Sequence, residues 1–354
     1  MGTSKKTLSI LHIDTGADWR GGQRQVLTLH SLLLKNGVDS SLICNVNGKL
    51  YAMAKDNKVP QIIGVDYRNQ LSIKCHKEVH KIYASIKPQI IHCHDSPSVS
   101  LVRFIKGSIK FHTRRVSYPI NNFSILFKYS SIDFHIGVSN EIRDYLARFF
   151  KNTFAIHSCV DKTRFKKIGT KPAFDSKGIN ILFVGAFTSQ KGIEILIPAF
   201  KDLVKKYSDI HLHMVGDGEL RSWSDKKVKE IGITDNVIFY GSRNDIEKFY
   251  IGSDIVVCPS VSGEGSSGVI KEAMAAGKTV IASDLVCNKE IIEDGVNGIL
   301  FKNQDMSSLF NAFESVLSKK IVIDHRAINQ KVKKFSCNNM AIGYINLYKL
   351  AINE

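Results

Sequence analysis

Short apolar runs alternate with segments whose apolar residues recur at three- and four-residue spacing along nearly all of the 354-residue chain. The first pattern marks buried strands and the second amphipathic helices. Their alternation predicts parallel sheets covered by helices. In the first half it predicts strands over 8–13, 40–45, 90–93 and 134–138, with helices over 22–36, 73–86 and 140–150. Segment 162–178, KTRFKKIGTKPAFDSKG, is polar, basic and punctuated by Gly and Pro, and reads as a linker. A second series follows, with strands over 180–184, 211–215, 237–240, 255–258 and 280–282 and helices over 192–206, 225–231, 245–251 and 269–276. The spacing of Met340, Ile342, Tyr344, Leu347, Leu350 and Ile352 predicts a last helix over 338–352. The expected fold is α/β, with two doubly wound, Rossmann-like domains: residues 1–165 with the tail, about 338–354, and residues 166–337. Such sheets bind ligands in the loops at the carboxyl ends of their strands.

Composition narrows the class. No apolar run approaches the roughly 18–20 residues that span a bilayer. The apolar stretch after the first lysines is too short for a signal-peptide core and fits the first strand. Seven scattered cysteines form no CxxC pair, which points to a reducing, cytoplasmic compartment. The net charge of +16 is unevenly placed, with 24 Lys/Arg against 11 Asp/Glu in residues 1–165 and 25 against 22 thereafter. That basic first half suits an anionic acceptor or an acidic membrane surface. No nucleic-acid-binding motif accompanies it, so nucleic acid is not an expected partner.

The densest chemistry lies in residues 260–300, SVSGEGSSGVIKEAMAAGKTVIASDLVCNKEIIEDGVNGIL. Glu264 is followed by Gly265, Ser266, Ser267 and Gly268, which leave the backbone N–H groups open to a ligand at a helix start. Helix N-termini favour anions through their orphan donors and dipole. Glu272 stands about two turns into that helix, so two carboxylates bracket an anion site. Sugar, diphosphate and ribose present hydroxyl, phosphate and hydroxyl in that order. Elsewhere, Gly21 and Gly22 precede a helix after the first strand, flanked by Arg20 and Arg24. The run Val184–Gly192, VGAFTSQKG, follows the first strand of the second series. His92 and His94 share one side of a strand by alternation, and His112 precedes Arg114 and Arg115, a basic pair suited to an anionic or sugar acceptor. No further ligand stands at metal spacing, so no metal is expected.

Glu264 and Glu272, the text EAMAAGKTVIAS and EIIEDGVNGILF, and the Lys191-Gly192 loop together resemble the retaining glycosyltransferases of family 4, glycosyl transferases group 1. The resemblance covers nearly the whole chain, tightly from about 180 to 301. It implies the GT-B fold, with two domains facing a cleft and a final helix crossing back to the first domain. It implies that Glu264 contacts the donor sugar, Glu272 the ribose, and Lys191 the donor phosphates, with Gly21, Gly22, Gly185 and Gly241 in the donor loops. It places His112 beside the donor sugar, and His94, Arg114 and Arg115 on the acceptor side. Catalysis is then expected from Lys191, Glu264 and His112, with no cofactor. The donor is a nucleoside-diphosphate sugar, a UDP-sugar foremost, and the acceptor a glycan or glycolipid of the bacterial envelope, such as lipopolysaccharide or capsule. The setting is the inner face of the cytoplasmic membrane, with peripheral contact to anionic lipid. Two positions depart from the family: Ala186 where many relatives carry arginine, and Cys159 where glycine is usual. A nucleotide-sugar epimerase on the same fold, or a non-catalytic sugar-nucleotide-binding subunit, are the alternatives.

Overall fold

The computed structural model describes residues 7–165, 171–174 and 177–353. They fall into two compact units, Met1–Cys159 with Cys337–Glu354, and Val160–Ser336. The change of unit therefore falls ahead of the basic segment read as a linker. Lys162–Phe165 forms a helical turn and Phe174 stacks on His213 at 3.6 Å, so both belong to the second unit. Residues 166–170 and 175–176 of that segment lie outside the described residues.

The first unit holds a seven-stranded sheet made of β1 (Ser9–Asp14), β2 (Asp39–Asn45), β3 (Ile62–Val65), β4 (Ile90–Cys93), β5 (Ile109–Arg114), β6 (Phe134–Gly137) and β7 (Thr153–Ala155). Its order is β3-β2-β1-β4-β5-β6-β7, and every pairing is parallel. Alternation divides β1 between two cores. Ile10 meets Leu29 and Leu33 of helix Gly21–Lys35 and Tyr344, Leu347 and Tyr348 of the last helix, Cys337–Asn353. Leu11 and Ile13 pack on the other face with Val79, Val99 and Tyr129. Strands buried on both faces lose the polar alternation of an exposed sheet, which is why they read as continuous apolar runs.

The second unit repeats the plan with β8 (Ile179–Val184), β9 (Ile210–Val215), β10 (Val237–Phe239), β11 (Ile255–Cys258), β12 (Thr279–Ser283) and β13 (Ile299–Phe301). The order is β10-β9-β8-β11-β12-β13, again all parallel. One continuous core fills this unit. The sheets are doubly wound, as expected, and each reverses direction once: between β1 and β4, and between β8 and β11. Those two reversals are where a ligand site belongs in such a sheet.

Candidate active site

At the β8/β11 reversal, the loop after β8 runs through Gly185 into a helical turn, Ser189–Lys191, and then into helix Ile193–Lys206. Gly192 joins turn to helix at φ +69°, and a Cβ there would stand 2.0 Å from the carbonyl oxygen of Pro259. Only glycine lets the two loops touch backbone to backbone. The contact brings Lys191 to the loop after β11, where its ammonium forms an ion pair with Glu264. Ser260 donates a second hydrogen bond to the same carboxylate at 2.7 Å. The Lys-Gly and Glu264 motifs, 73 residues apart, thus form one polar group at the switch point.

Ser267 caps helix Gly268–Ala275, its hydroxyl accepting from the Ile270 N–H at 3.4 Å. Ser266 accepts from the buried ammonium of Lys271 at 2.6 Å. Glu272 faces a different set of partners. The Tyr250 hydroxyl donates to it at 2.9 Å, and Arg164 reaches it at 3.3 Å while also pairing with Glu247. Burial pulls Arg164 down, but Glu272 and Glu247 outweigh it and hold the guanidinium above its usual range. Gly185 and Gly241 follow β8 and β10, on either side of Gly216 at the end of β9: the Gly216 N–H donates to the Gly241 carbonyl at 2.9 Å, and a Cβ on Gly216 would meet the Gly185 carbonyl oxygen at 1.8 Å. Arg164, Ser260 and Tyr250 were not singled out from sequence. Arg164 sits in the segment whose basic, polar text resembles a linker, and only the fold brings it to Glu272.

At the β1/β4 reversal the first unit gathers His12, Asp14, His92, His94, Asp95 and Arg115. Gly21 and Gly22 open helix Gly21–Lys35, and a Cβ on Gly22 would come within 3.2 Å of the Arg115 side chain. The Arg115 guanidinium donates to His94 Nδ1 at 3.1 Å. Because arginine only donates, that nitrogen must accept, so the His94 Nε2–H donates to His12 Nδ1, 2.8 Å away. His92 and His94 do share one side, with rings 4.0 Å apart. His12 on β1 adds a third ring, and one nitrogen of each lies within 4.8 Å of the others, so the third ligand missing from the sequence reading comes from a distant strand. Five of their six nitrogens are engaged, with one another, with Arg115, and for His92 with Tyr348 at 2.6 Å and Thr113 at 2.7 Å; His12 Nε2 is buried without a hydrogen-bond partner among the described residues. Burial, with help from neighbouring cationic groups, pushes all three histidines well below their usual range. The cluster is neutral.

Two expectations change here. His112, expected beside the donor sugar, lies within β5, 2% exposed and packed on Tyr129 and His135. Alternation turns it to the face opposite Thr113, which meets Tyr344 of the last helix. Arg114 is also buried: its guanidinium donates to the Tyr118 carbonyl and lies 5.8 Å from the Tyr145 ring. It braces the loop after β5 instead of facing an acceptor. Arg20 pairs with Asp18 at 2.8 Å on the surface. Cys159 has no positive φ, so the usual glycine is not required there. Its backbone N–H and carbonyl are both bonded by Gln25, at 2.9 and 2.8 Å.

Two carboxylates beside these groups were missed. Asp14 ends β1 almost fully buried, and burial, with Asp95 nearby, raises its pKa to about 6. Asp95 accepts from Thr15 at 2.6 and 2.7 Å and caps helix Ser96–Val102 through the Ser98 N–H at 2.8 Å. A single acid at a strand end carries no signal until the β1/β4 pairing sets two side by side.

Known proteins carry the same architecture. Residues 165–335 match the family model "Glycosyl transferases group 1". The chain is 35% identical over 177 residues to an uncharacterized glycosyltransferase of Methanocaldococcus jannaschii, covering 49% of this chain and 45% of that protein. It is 24% identical over 352 residues to the phosphatidyl-myo-inositol mannosyltransferase of Mycobacterium leprae, covering 93% and 92%. Among solved structures, HepE of Anabaena in complex with UDP-glucose superposes with a TM-score of 0.82 at 16% identity, over 97% and 99% of the two chains. Residues 165–335 thus belong to glycosyl transferases group 1, and the two sheets are those of the GT-B fold.

Proposed function

We propose that the protein is a retaining glycosyltransferase of family 4 that moves a sugar from a nucleoside-diphosphate sugar, a UDP-sugar foremost, to a hydroxyl of a glycan or glycolipid. The observation that carries this reading is the Lys191–Glu264 pair at the β8/β11 reversal, completed by Ser260. A cation and a carboxylate in contact suit adjacent parts of one ligand: Lys191 the diphosphate, Glu264 the sugar hydroxyls. As the glycosidic bond breaks, negative charge grows on the leaving diphosphate, and a fixed ammonium stabilises it most where it is greatest. Glu272, oriented by Tyr250 and Arg164, is assigned to the ribose hydroxyls. The N–H groups of Gly265–Gly268 face the phosphates. No carboxylate pair of the glycosidase kind is assigned, so the acceptor hydroxyl attacks from the face the diphosphate leaves, and that diphosphate takes its proton.

In the first unit Arg115, His94 and Asp14 are assigned to the acceptor. The glycolipid class is supported by the phosphatidyl-myo-inositol mannosyltransferase relative, and the donor class by HepE with UDP-glucose. The setting proposed is envelope glycan synthesis at the cytoplasmic face of the membrane. No helix among the described residues is long and apolar enough to cross it. The test is to incubate the protein with a panel of nucleoside-diphosphate sugars, with and without a bacterial lipid extract, and to follow nucleotide release and products by mass spectrometry. Acceptor-dependent nucleotide release with a glycosylated lipid is expected. An altered sugar nucleotide formed without acceptor would make the protein an epimerase, and intact bound donor would make it a binding subunit.

A further inference from the structure

Three segments of the first unit leave large apolar side chains in solvent: Leu71 and Ile73, Phe104, and Phe123, Leu126 and Phe127, with exposures from 46% for Phe127 to 82% for Leu71. They form one surface. The Lys128 ammonium reaches Gln70 at 3.2 Å, joining the first segment to the third. The Arg103 guanidinium lies 5.5 Å from the Phe104 ring and 6.0 Å from Phe127, joining the second to the third. Phe123 and Phe127 contact each other at 4.6 Å. The turn Ser124–Lys128 has no buried residue at all. Scattered exposed apolar residues need no explanation, but six clustered on neighbouring loops mark an interaction surface.

The charge around them identifies the partner. Residues 68–77, 103–110 and 116–128 contain seven Lys or Arg; Lys110 is buried and Arg68 pairs with Asp66 at 3.5 Å, which leaves Lys74, Lys77, Arg103, Lys106 and Lys128 around the apolar side chains. A surplus of cations around exposed apolar side chains matches an anionic bilayer on both counts: aromatic and aliphatic side chains enter the acyl boundary while Lys and Arg meet the headgroups. The surface also adjoins the acceptor side of the first unit, since Lys128 reaches Ser96, the residue after Asp95, at 2.8 Å.

We propose that this surface, centred on Phe123, Leu126 and Phe127, inserts into the interface of an anionic membrane and holds the Asp14–Asp95–Arg115 group at the level of lipid headgroups. The proposal rests on the glycolipid-acceptor reading for its purpose but not for its test. The full chain is sedimented with vesicles of phosphatidylcholine alone and of phosphatidylcholine mixed with phosphatidylglycerol, without donor or acceptor. Binding to the mixed vesicles alone is expected, weakening as salt is raised. The combined variant Phe123→Ser, Leu126→Ser, Phe127→Ser should bind them at least about a hundredfold more weakly, while its affinity for UDP stays within twofold of the parent. A second variant, Leu71→Ser with Ile73→Ser, gives the same reading from another segment should the first misfold. Equal binding by parent and variants, or no binding to anionic vesicles, overturns the proposal. So does a concentration-dependent dimer that these substitutions abolish, which would give the surface to a second copy. UDP binding separates failure of this proposal from failure of the donor site.

Discussion

Replacing Lys191 by alanine is expected to lower kcat by about a hundredfold to a thousandfold with the fold intact, the range for removal of one preorganised charge partner of a transition state. The side chain lies outside the hydrophobic core of the second unit, so truncation leaves no apolar cavity. Its ammonium is held by Glu264, and its backbone by a hydrogen bond to the Thr188 carbonyl at 2.9 Å and by Gly192. It is therefore positioned before any charge develops. With Ala186 in place of the family's arginine, the second unit has no other cation assigned to the diphosphate, and the loss should approach the upper end. Steady-state kinetics with circular dichroism checks this. A fall in kcat and kcat/KM together fits a transition-state role, whereas a change confined to KM would assign Lys191 to ground-state binding. Unchanged turnover would remove Lys191 from the site.

Acid should destabilise the first unit sharply. His12, His92, His94 and His112 are held well below their usual range by burial, and His135 is pushed to about 3 for the same reason. Unfolded, each titrates near 6.5. With folded values depressed, the unfolded chain binds more protons as pH falls, so stability drops below pH 6.5. From pH 6.5 to 5.5 each costs roughly 1 kcal/mol, or about 5 kcal/mol together, comparable to the whole stability of many domains. Asp14 acts in the opposite sense. Its raised value means that acid relieves a strain present above pH 6, but one carboxyl returns less than about 1 kcal/mol over that interval. Thermal melts at pH 7.5 and 5.5 should therefore differ by many degrees. A melting temperature flat across that range would show that the histidines are not buried as a neutral cluster.

The sequence made the long periodic elements readable. Helix Gly21–Lys35 and the last helix, Cys337–Asn353, fall within a residue or two of the predicted bounds. Strands β3, β7 and β13 are three or four residues long and lie at sheet edges; the equally short edge strand β10 is legible because its apolar run continues through Tyr240. Helices Met306–Leu317 and His325–Lys334, absent from the predicted elements, do carry local signals, with Asp305 and Asp324 as caps. For the proposed donor site, motif text singles out Lys191, Glu264 and Glu272, because glycine and charge after a strand are local signals. What it could not supply was pairing across the sheet. The reach of His94 to His12, Asp14 beside Asp95, and Arg164 against Glu272 all join strands or turns far apart in the chain. His112 and Arg114 are buried for a related reason: β5 runs on to Arg114 and is paired on both sides, so both side chains turn into the unit.

The most direct test of the donor site is a calorimetric titration of the purified protein with nucleoside-diphosphate sugars, in parallel with Glu272→Ala. One sugar nucleotide should bind to the parent protein. The variant should bind it at least tenfold more weakly, since hydrogen bonds to a charged group contribute about 1.5–3 kcal/mol. Absence of binding across the panel by well-folded protein, or equal binding by the variant, would contradict the assignment of the β8/β11 reversal as the donor site.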